Sequence, residues 1–278
     1  MIYLSTYLST FKRLPHQLVL IWFLAGVIGL SWPMSASASD SNKIVLVAVD
    51  LSSSTKTHRE DYKKYFRMIL DAMGERDVLL VTKIMKQPSA SESLAFPAIE
   101  YEEATLLKNR RQIKEMNLKR SLEALKQFEM LVNDRADDET PIIEVTQSSQ
   151  RLFQQFKTDR QIIVYLSDMM EYSKTTSNFE STKPIFSKAL AESAWEKTKK
   201  EGRVASLKGV KIYVAGTRDA NPMRMEAVKW FWANYFREAG ASLDVSNYGS
   251  DLVAFKECNS TGSCGTVFQD QRDKRLAK

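Results

Sequence analysis

Six consecutive apolar residues, most of them β-branched, limit most strongly how this chain can fold. They run from Ile44 to Val49. A strand that is apolar at every position is typical of a sheet covered by helices on both faces, and such sheets are mostly parallel. Comparable runs lie at 77–84, 161–166 and 210–215, and segments with helical periodicity separate them. This alternation predicts an α/β fold with a doubly wound, mostly parallel sheet and helices on both faces.

Oxygen-bearing side chains follow the first strand at alternate positions: Asp50, Ser52 and Ser54. Alternate residues of an extended segment point the same way, and open α/β sheets bind ligands beyond the carboxyl ends of their strands. A carboxylate with two hydroxyls is a hard oxygen set that suits Mg²⁺ or Ca²⁺. The same stretch also fits a helix-capping cluster, with Ser54, Thr55 or Thr57 as the N-cap. The rest of the chain has to decide between these two interpretations.

Two further loops carry oxygen ligands at the ends of predicted elements. Thr140 stands before Pro141, and this pair is a strong helix-start signal. Asp168 follows the apolar strand 161–166. Both loops therefore border a strand or helix end, as the Asp50 loop does. Thr146, in the body of the same predicted helix, is the alternative to Thr140.

Together the three loops resemble those of the von Willebrand factor type A domain. The resemblance lies in the motif Asp50-Leu51-Ser52-Ser53-Ser54, in 140–142 and in 163–168, and it spans residues 43 to 255. It implies a Rossmann-like fold with a metal-ion-dependent adhesion site. It also implies one divalent cation, Mg²⁺ (or Mn²⁺ or Ca²⁺), whose ligands would be Asp50, Ser52, Ser54, Thr140 and Asp168.

The resemblance implies that the protein binds an acidic residue of a partner protein through the metal ion. Hydroxyl ligands are neutral, so the negative charge of the two carboxylates only just balances the positive charge of a divalent cation. If either Asp50 or Asp168 acts through water, the cation stays electrophilic and accepts a carboxylate oxygen of the partner as its sixth ligand.

This sequence departs from the family pattern in two loops. The second loop is usually glycine-rich before its threonine, but here it is Asp137-Asp138-Glu139. The third loop often has glycine after its aspartate, but here Met169-Met170-Glu171 follows. We expect the extra carboxylates either to strengthen cation binding or to repel an acidic partner.

Residues 1–38 differ from the rest of the chain. They contain Lys12 and Arg13, no acidic residue, and a run of thirteen residues, nearly all apolar, from Leu18 to Leu30, followed by the small-residue stretch 35–38. That run is too short to span a bilayer comfortably. It predicts a signal peptide cut after Ala38, hence an exported, periplasmic or secreted protein with no stable membrane span after cleavage. An uncleaved N-terminal anchor is the alternative.

The predicted mature chain divides into a type A-like domain, 39–257, and a tail, 258–278. The tail holds the two cysteines of the chain, Cys258 and Cys264. Neighbouring cysteines in an exported protein predict a disulfide that closes a short loop. Their spacing is not Cys-x-x-Cys, which disfavours a redox role.

Composition and motifs exclude several function classes and leave two alternatives open. Acidic and basic residues are interspersed, with no basic tract carrying aromatics, so we expect no nucleic-acid binding. After residue 38 His58 is the one histidine, which disfavours histidine-based catalysis and zinc ligation. A Mg²⁺-dependent hydrolase acting through Asp50 would need a general base or a phosphate loop, and neither is evident, so we expect no enzyme. The other alternative is a metal-free structural component of an envelope complex.

Overall fold

The computed structural model describes residues 43–85, 94–105, 109–134, 139–156, 158, 160–173, 178–181, 184–252 and 255. In these ranges the chain forms a six-stranded sheet in the order β3-β2-β1-β4-β5-β6. Every neighbouring pair is parallel except β2 with β3, the short edge strand. The predicted doubly wound, mostly parallel sheet is confirmed. The strands are β1 Lys43–Asp50, β2 Val78–Ile84, β3 Ile99–Glu100, β4 Arg160–Leu166, β5 Lys211–Ala215 and β6 Ser242–Gly249.

Helices cover both faces of this sheet. The α-helices in the described ranges are α1 Arg59–Asp71, α2 Arg110–Val132, α3 Ile142–Gln154, α4 Lys188–Lys200 and α5 Pro222–Glu238. Alternate residues of β1 belong to two separate cores. Val45, Val47 and Val49 pack with α1 and α2, while Ile44 and Leu46 pack with α3, α4 and α5. The strand is apolar at every position because it has no face toward water.

Several element boundaries differ from what the sequence pattern predicts. The apolar stripe predicts one long helix from about Glu102 to Asn133, but the helix begins after Asn109, where Asn109 and Gln112 form a reciprocal capping box. Pro184 predicts a helix start, but the helix begins after Ser187. The apolar residues at 243–245 and 252–255 predict a final strand or hairpin, and among the described residues 242–249 form one strand, β6, paired in parallel with β5.

The chain reverses its winding direction between β1 and β4. From β1 it crosses to β2 on one side, and it later returns to form β4 on the other side. The connections after β1 and β4 therefore diverge, which leaves a crevice at the carboxyl ends of these two strands. Asp50 ends β1, and Asp168 lies two residues beyond the end of β4. The fold thus brings the first and third predicted loops to the same place.

The predicted signal peptide, the domain boundary at 257 and the pair Cys258 and Cys264 lie outside the described residues. They stay predictions. None of the helices described above is long and apolar enough to cross a membrane.

Candidate metal centre

Asp50 lies at the floor of the crevice. It is the last residue of β1 rather than a loop residue, and it is fully buried. Its Oδ1 accepts a hydrogen bond from the Ser52 backbone N–H at 2.8 Å, and its Oδ2 accepts one from Ser167 Oγ at 2.8 Å. Burial raises the pKa of the Asp50 carboxyl, and the hydrogen bonds from Ser52 and Ser167 partly oppose that rise.

A chain of hydroxyls joins the first loop to the third. Ser52 Oγ lies 3.0 Å from Ser54 Oγ, and Ser54 Oγ donates to Asp168 Oδ2 at 2.9 Å across a separation of 114 residues. Asp168 Oδ1 accepts from the backbone N–H of Met170 at 3.0 Å. Burial, followed by the charge of Asp50, raises the pKa of Asp168 to about 8. Four of the five predicted ligands therefore meet in one cluster.

Thr140 is joined to the same loop through its backbone. Its N–H donates to the carbonyl of Tyr172 at 2.7 Å, and its carbonyl accepts from the Tyr172 N–H at 3.1 Å. Among the described residues, no hydrogen bond links the Thr140 hydroxyl to the other four predicted ligands. The alternative, Thr146, is buried in α3 and its hydroxyl bonds to the Ile142 carbonyl and the Tyr165 hydroxyl. Thr140 is therefore the better placed of the two.

In the third loop, Met169 takes the backbone conformation that a glycine would otherwise provide. It adopts a left-handed backbone with φ of 64°, the conformation that glycine takes at no steric cost. Its side chain is fully buried, and its carbonyl accepts a hydrogen bond from Trp232 Nε1 at 2.8 Å. Burial of the side chain offsets a backbone cost of about 1–2 kcal/mol.

Tyr62 adds a polar group that the sequence did not reveal. Its hydroxyl is buried and has no hydrogen-bond partner of good geometry among the described residues. Burial raises the pKa of this hydroxyl, and the charges of Asp50 and Asp168 raise it further. A Cβ on Gly216 would lie 3.0 Å from the Tyr62 hydroxyl and 3.1 Å from the Ser167 carbonyl, so the wall of the crevice admits only glycine there. In the sequence, Tyr62 belongs to the apolar periodicity that predicts the buried face of α1, which gives no sign of a polar role.

Glu180 is a further carboxylate near the site. It lies in the segment between β4 and α4, and its backbone carbonyl accepts a hydrogen bond from Arg224 Nη1 at 3.1 Å. Burial and the charge of Asp50 raise its pKa. This segment has no periodic pattern, so nothing in the sequence indicated that Glu180 would come near the site.

The donor set fits a hard dication. Within the described residues, Asp50 and Asp168 receive hydrogen bonds from hydroxyls and backbone N–H groups and none from a cationic side chain. The charge of Arg59 lowers the pKa of Asp50, but burial outweighs it, and a bound proton or cation would relieve the remaining negative charge. Within the described ranges no group of three or more His, Cys, Asp or Glu is arranged as a metal cluster. The site instead depends on hydroxyl oxygens, which suit Mg²⁺, Mn²⁺ or Ca²⁺ better than zinc.

The site is reachable from solvent. A cavity of about 200 Å³ lies beside Asp168, between α5 and the carboxyl ends of β5 and β6. Its wall carries two basic side chains, Arg218 and Lys229, and two acidic ones, Asp168 and Glu226, and Arg218 is paired with Asp61 at 3.2 Å. Tyr248 and Val228 supply apolar surface. A side chain of another molecule can therefore approach Asp168 from this side.

No model of a known protein family matches the sequence, and no curated protein matches it significantly. Solved structures with some likeness include a variant of the PilB minor pilin from Streptococcus sanguinis. There the TM-score is 0.47 at 12% identity, over 85% of this chain and 62% of that one. For the pilus adhesin SpaC from Lactobacillus rhamnosus the TM-score is 0.39 at 12% identity, over 84% of this chain and 30% of that one.

For an aerotolerance-related membrane protein from Bacteroides fragilis the TM-score is 0.36 at 13% identity, over 74% of this chain and 94% of that one.

This chain thus spans less than two thirds of the pilin and adhesin chains. Likenesses at this level say nothing about ligands or partners. Fold and site together define the class: an α/β protein with a doubly wound sheet and a cluster of buried oxygen ligands at its carboxyl edge.

Proposed function

We propose that this protein is an exported binding module of the von Willebrand type A kind, which engages a protein partner through a divalent cation. One observation carries the proposal. Asp50 at the end of β1, Ser52 and Ser54 in the loop that follows it, and Asp168 in the loop after β4 form a single hydrogen-bonded cluster at the switch point of the sheet. This is where open α/β folds bind their ligands.

Each residue of the cluster has a distinct part in this proposal. Ser167 and the Ser52 N–H hold the Asp50 carboxylate in one orientation. Ser52 and Ser54 offer neutral oxygens, so the negative charge of the ligands does not exceed the positive charge of a divalent cation. When bound, Mg²⁺ (or Mn²⁺ or Ca²⁺) supplies an electrophilic centre for a carboxylate oxygen of the partner.

A second candidate is a metal-free component of an envelope assembly. Burial and the charge of Asp50 favour it, because they raise the pKa of Asp168 to about 8. A proton on Asp168 would leave Asp50 as the one charged carboxylate of the predicted ligand set at neutral pH, without any cation. The two candidates differ in one measurable property, the affinity for divalent cations.

Calorimetric titration with Mg²⁺, Mn²⁺ and Ca²⁺ tests the proposal. We expect one ion per molecule to bind the wild type and none to bind Asp50→Ala, because Asp50 is the central carboxylate. Ser52→Ala removes one neutral ligand and should weaken binding less. Glu60→Ala, which removes an exposed carboxylate from α1, serves as the matched control and should bind like the wild type. If none of the three ions binds the wild type, the metal-free candidate takes the place of the proposal.

A pull-down from the native envelope fraction tests the partner. Capture by the wild type should require a divalent cation and be lost in EDTA, and Asp50→Ala should capture nothing in either buffer. If the wild type captures its partner equally well in EDTA and in Mg²⁺, the cation does not mediate partner binding.

A further inference from the structure

Arg59 joins the first loop to the end of a helix that is distant in sequence. Its Nη2 donates to the carbonyl of Leu51 at 2.7 Å. Its Nη1 donates to the carbonyls of Val132 and Asp134 at 3.0 Å and 2.9 Å, across separations of 73 and 75 residues. Arg59 is the first residue of α1, and Val132 is the last residue of α2. Because the guanidinium is planar, these three acceptors fix its orientation.

The peptide group that Arg59 holds is the one that orients Asp50. The Leu51 carbonyl and the Ser52 N–H belong to a single peptide group, which is planar and rigid. Arg59 binds the carbonyl end of this plane, and Asp50 Oδ1 accepts from its N–H end at 2.8 Å. A tilt of the plane would therefore break a hydrogen bond or turn the carboxylate. Arg59 thus governs the orientation of Asp50 through the peptide.

Thr55 holds the peptide groups on either side of this one. Its buried hydroxyl lies 2.9 Å from the carbonyl of Asp50 and 3.1 Å from that of Ser52, and it is the donor to both. Side chains therefore bind three successive peptide groups of the first loop. The middle group is the one whose side-chain donor also binds the end of α2, so its position depends on the packing of that helix.

The charge of Arg59 and its hydrogen bonds have opposite effects on a cation. Burial raises the pKa of Asp50, and the charge of Arg59 partly opposes that rise. The same charge repels any cation that Asp50 binds. A side chain that acted on the site through charge alone would weaken cation binding, whereas one that positions Asp50 would strengthen it. The two roles therefore predict opposite results when the side chain is removed.

We propose that Arg59 is the positioning residue of the site, which holds the Asp50 carboxylate in its binding orientation and ties it to the end of α2. The part of this inference that concerns the cation rests on the proposed function. Asp134 begins the segment that leads to Thr140 in the sequence. The same side chain therefore also connects the first predicted loop to the start of the second.

Amide hydrogen exchange in the metal-free protein tests the positioning. In Arg59→Met the Ser52 N–H should exchange about tenfold faster than in the wild type, because the peptide loses a hydrogen bond from a charged group. Arg59→Lys keeps the charge but lacks the planar fork, and it should show the same direction of change. The Met170 N–H, which donates to Asp168 Oδ1 in the third loop at 3.0 Å, is the internal reference and should keep its wild-type rate.

Mn²⁺ titration, followed by the relaxation of water protons, tests the effect on the cation. Arg59→Met should bind Mn²⁺ about 10–100-fold more weakly than the wild type, as expected when a residue that orients a metal ligand is lost. Arg67→Met is the matched control, because Arg67 also lies on α1 and reaches α2, through Glu129. It should match the wild type in Mn²⁺ affinity and in the exchange of the Ser52 N–H. Circular dichroism checks that each variant is folded during the titration.

The outcomes separate this inference from the proposed function. Unchanged exchange at Ser52 in both Arg59 variants would overturn the inference, whether or not the protein binds metal. Equal acceleration at Ser52 and Met170 would show a general loss of stability and would also overturn it. So would Mn²⁺ binding to Arg59→Met that is as tight as in the wild type or tighter. Absence of Mn²⁺ binding in the wild type would defeat the proposed function, and the exchange rates would still decide whether Arg59 positions Asp50.

Discussion

The proton on Asp168 has a consequence for stability. Its pKa in the folded state rises from 3.8 to about 8, first through burial and then through the charge of Asp50. Between these two values the folded state binds more protons than the unfolded state. The free energy of unfolding therefore falls as pH rises through this window, and Asp168 contributes no further change above it.

Asp168→Asn should remove this pH dependence. The amide has the shape of the protonated carboxyl and does not ionise. In EDTA, urea unfolding at pH 5 should give similar stabilities for the wild type and the variant, and at pH 9 the variant should be the more stable of the two. Parallel pH profiles for the two proteins would contradict the assigned protonation.

The sequence predicted that Asp50 and Asp168 lie at the carboxyl ends of strands, and it gave no role to Ser167 or Glu180. Asp50 directly follows the apolar run 44–49, and Asp168 follows the strand 161–166 after one intervening residue. Ser167 was missed as the residue that orients Asp50, although the parallel register of β1 and β4 places the two side by side. The position of Glu180 was not predictable, because it depends on the buried ring of Phe179 and on the hydrogen bond from Arg224 to the Glu180 carbonyl.

The first two parallel strands are held together at their amino ends by a buried ion pair. Lys43 Nζ lies 2.5 Å from Asp77 Oδ2, and both side chains are almost inaccessible to water. Asp77 also accepts hydrogen bonds from the backbone N–H groups of Lys43 and Gly74. The carboxylate thereby ties the start of β1 to the turn before β2.

Asp77→Ala should destabilise the protein by about 3–5 kcal/mol, because it leaves a buried ammonium without its carboxylate. Glu129→Ala provides the control, since it breaks an ion pair with Arg67 between α1 and α2 whose side chains are 40% and 49% exposed. That loss should cost no more than about 1 kcal/mol. Urea unfolding of both variants measures the loss in free energy of unfolding. An equal loss in the two variants would show that the buried ion pair contributes no more to stability than the exposed one.

Strands were easier to predict than helix starts for a physical reason. A doubly buried strand has to be apolar throughout, so its sequence is nearly sufficient evidence. A helix start depends on which of several polar residues caps it. The Asn109 capping box sets the start of α2, although Glu102 is also compatible with a helix. At α4 the helix starts after Ser187 without a side-chain cap, although Pro184 is also compatible with a helix start.

At the scale of the whole molecule, the sheet couples the proposed cation to global stability. The cluster draws on β1, β4 and the loops behind them, and β1 and β4 are neighbours at the centre of the sheet. The loops cannot keep this arrangement once the sheet unfolds, so a cation that binds them binds the folded state alone. Its binding free energy then adds to the free energy of unfolding.

Thermal unfolding should therefore depend on cation concentration. At a free ion concentration about 100 times the dissociation constant, stabilisation is about 2.7 kcal/mol, which in a domain of this size raises Tm by about 5–10 °C. Each further tenfold increase in Mg²⁺ should add about 1.4 kcal/mol, while Asp50→Ala should melt at the same temperature with and without the ion. A wild-type Tm that does not respond to Mg²⁺, Mn²⁺ or Ca²⁺ at any concentration would mean that the oxygen cluster is held together by protons, since a ligand that binds only the folded state must raise its stability.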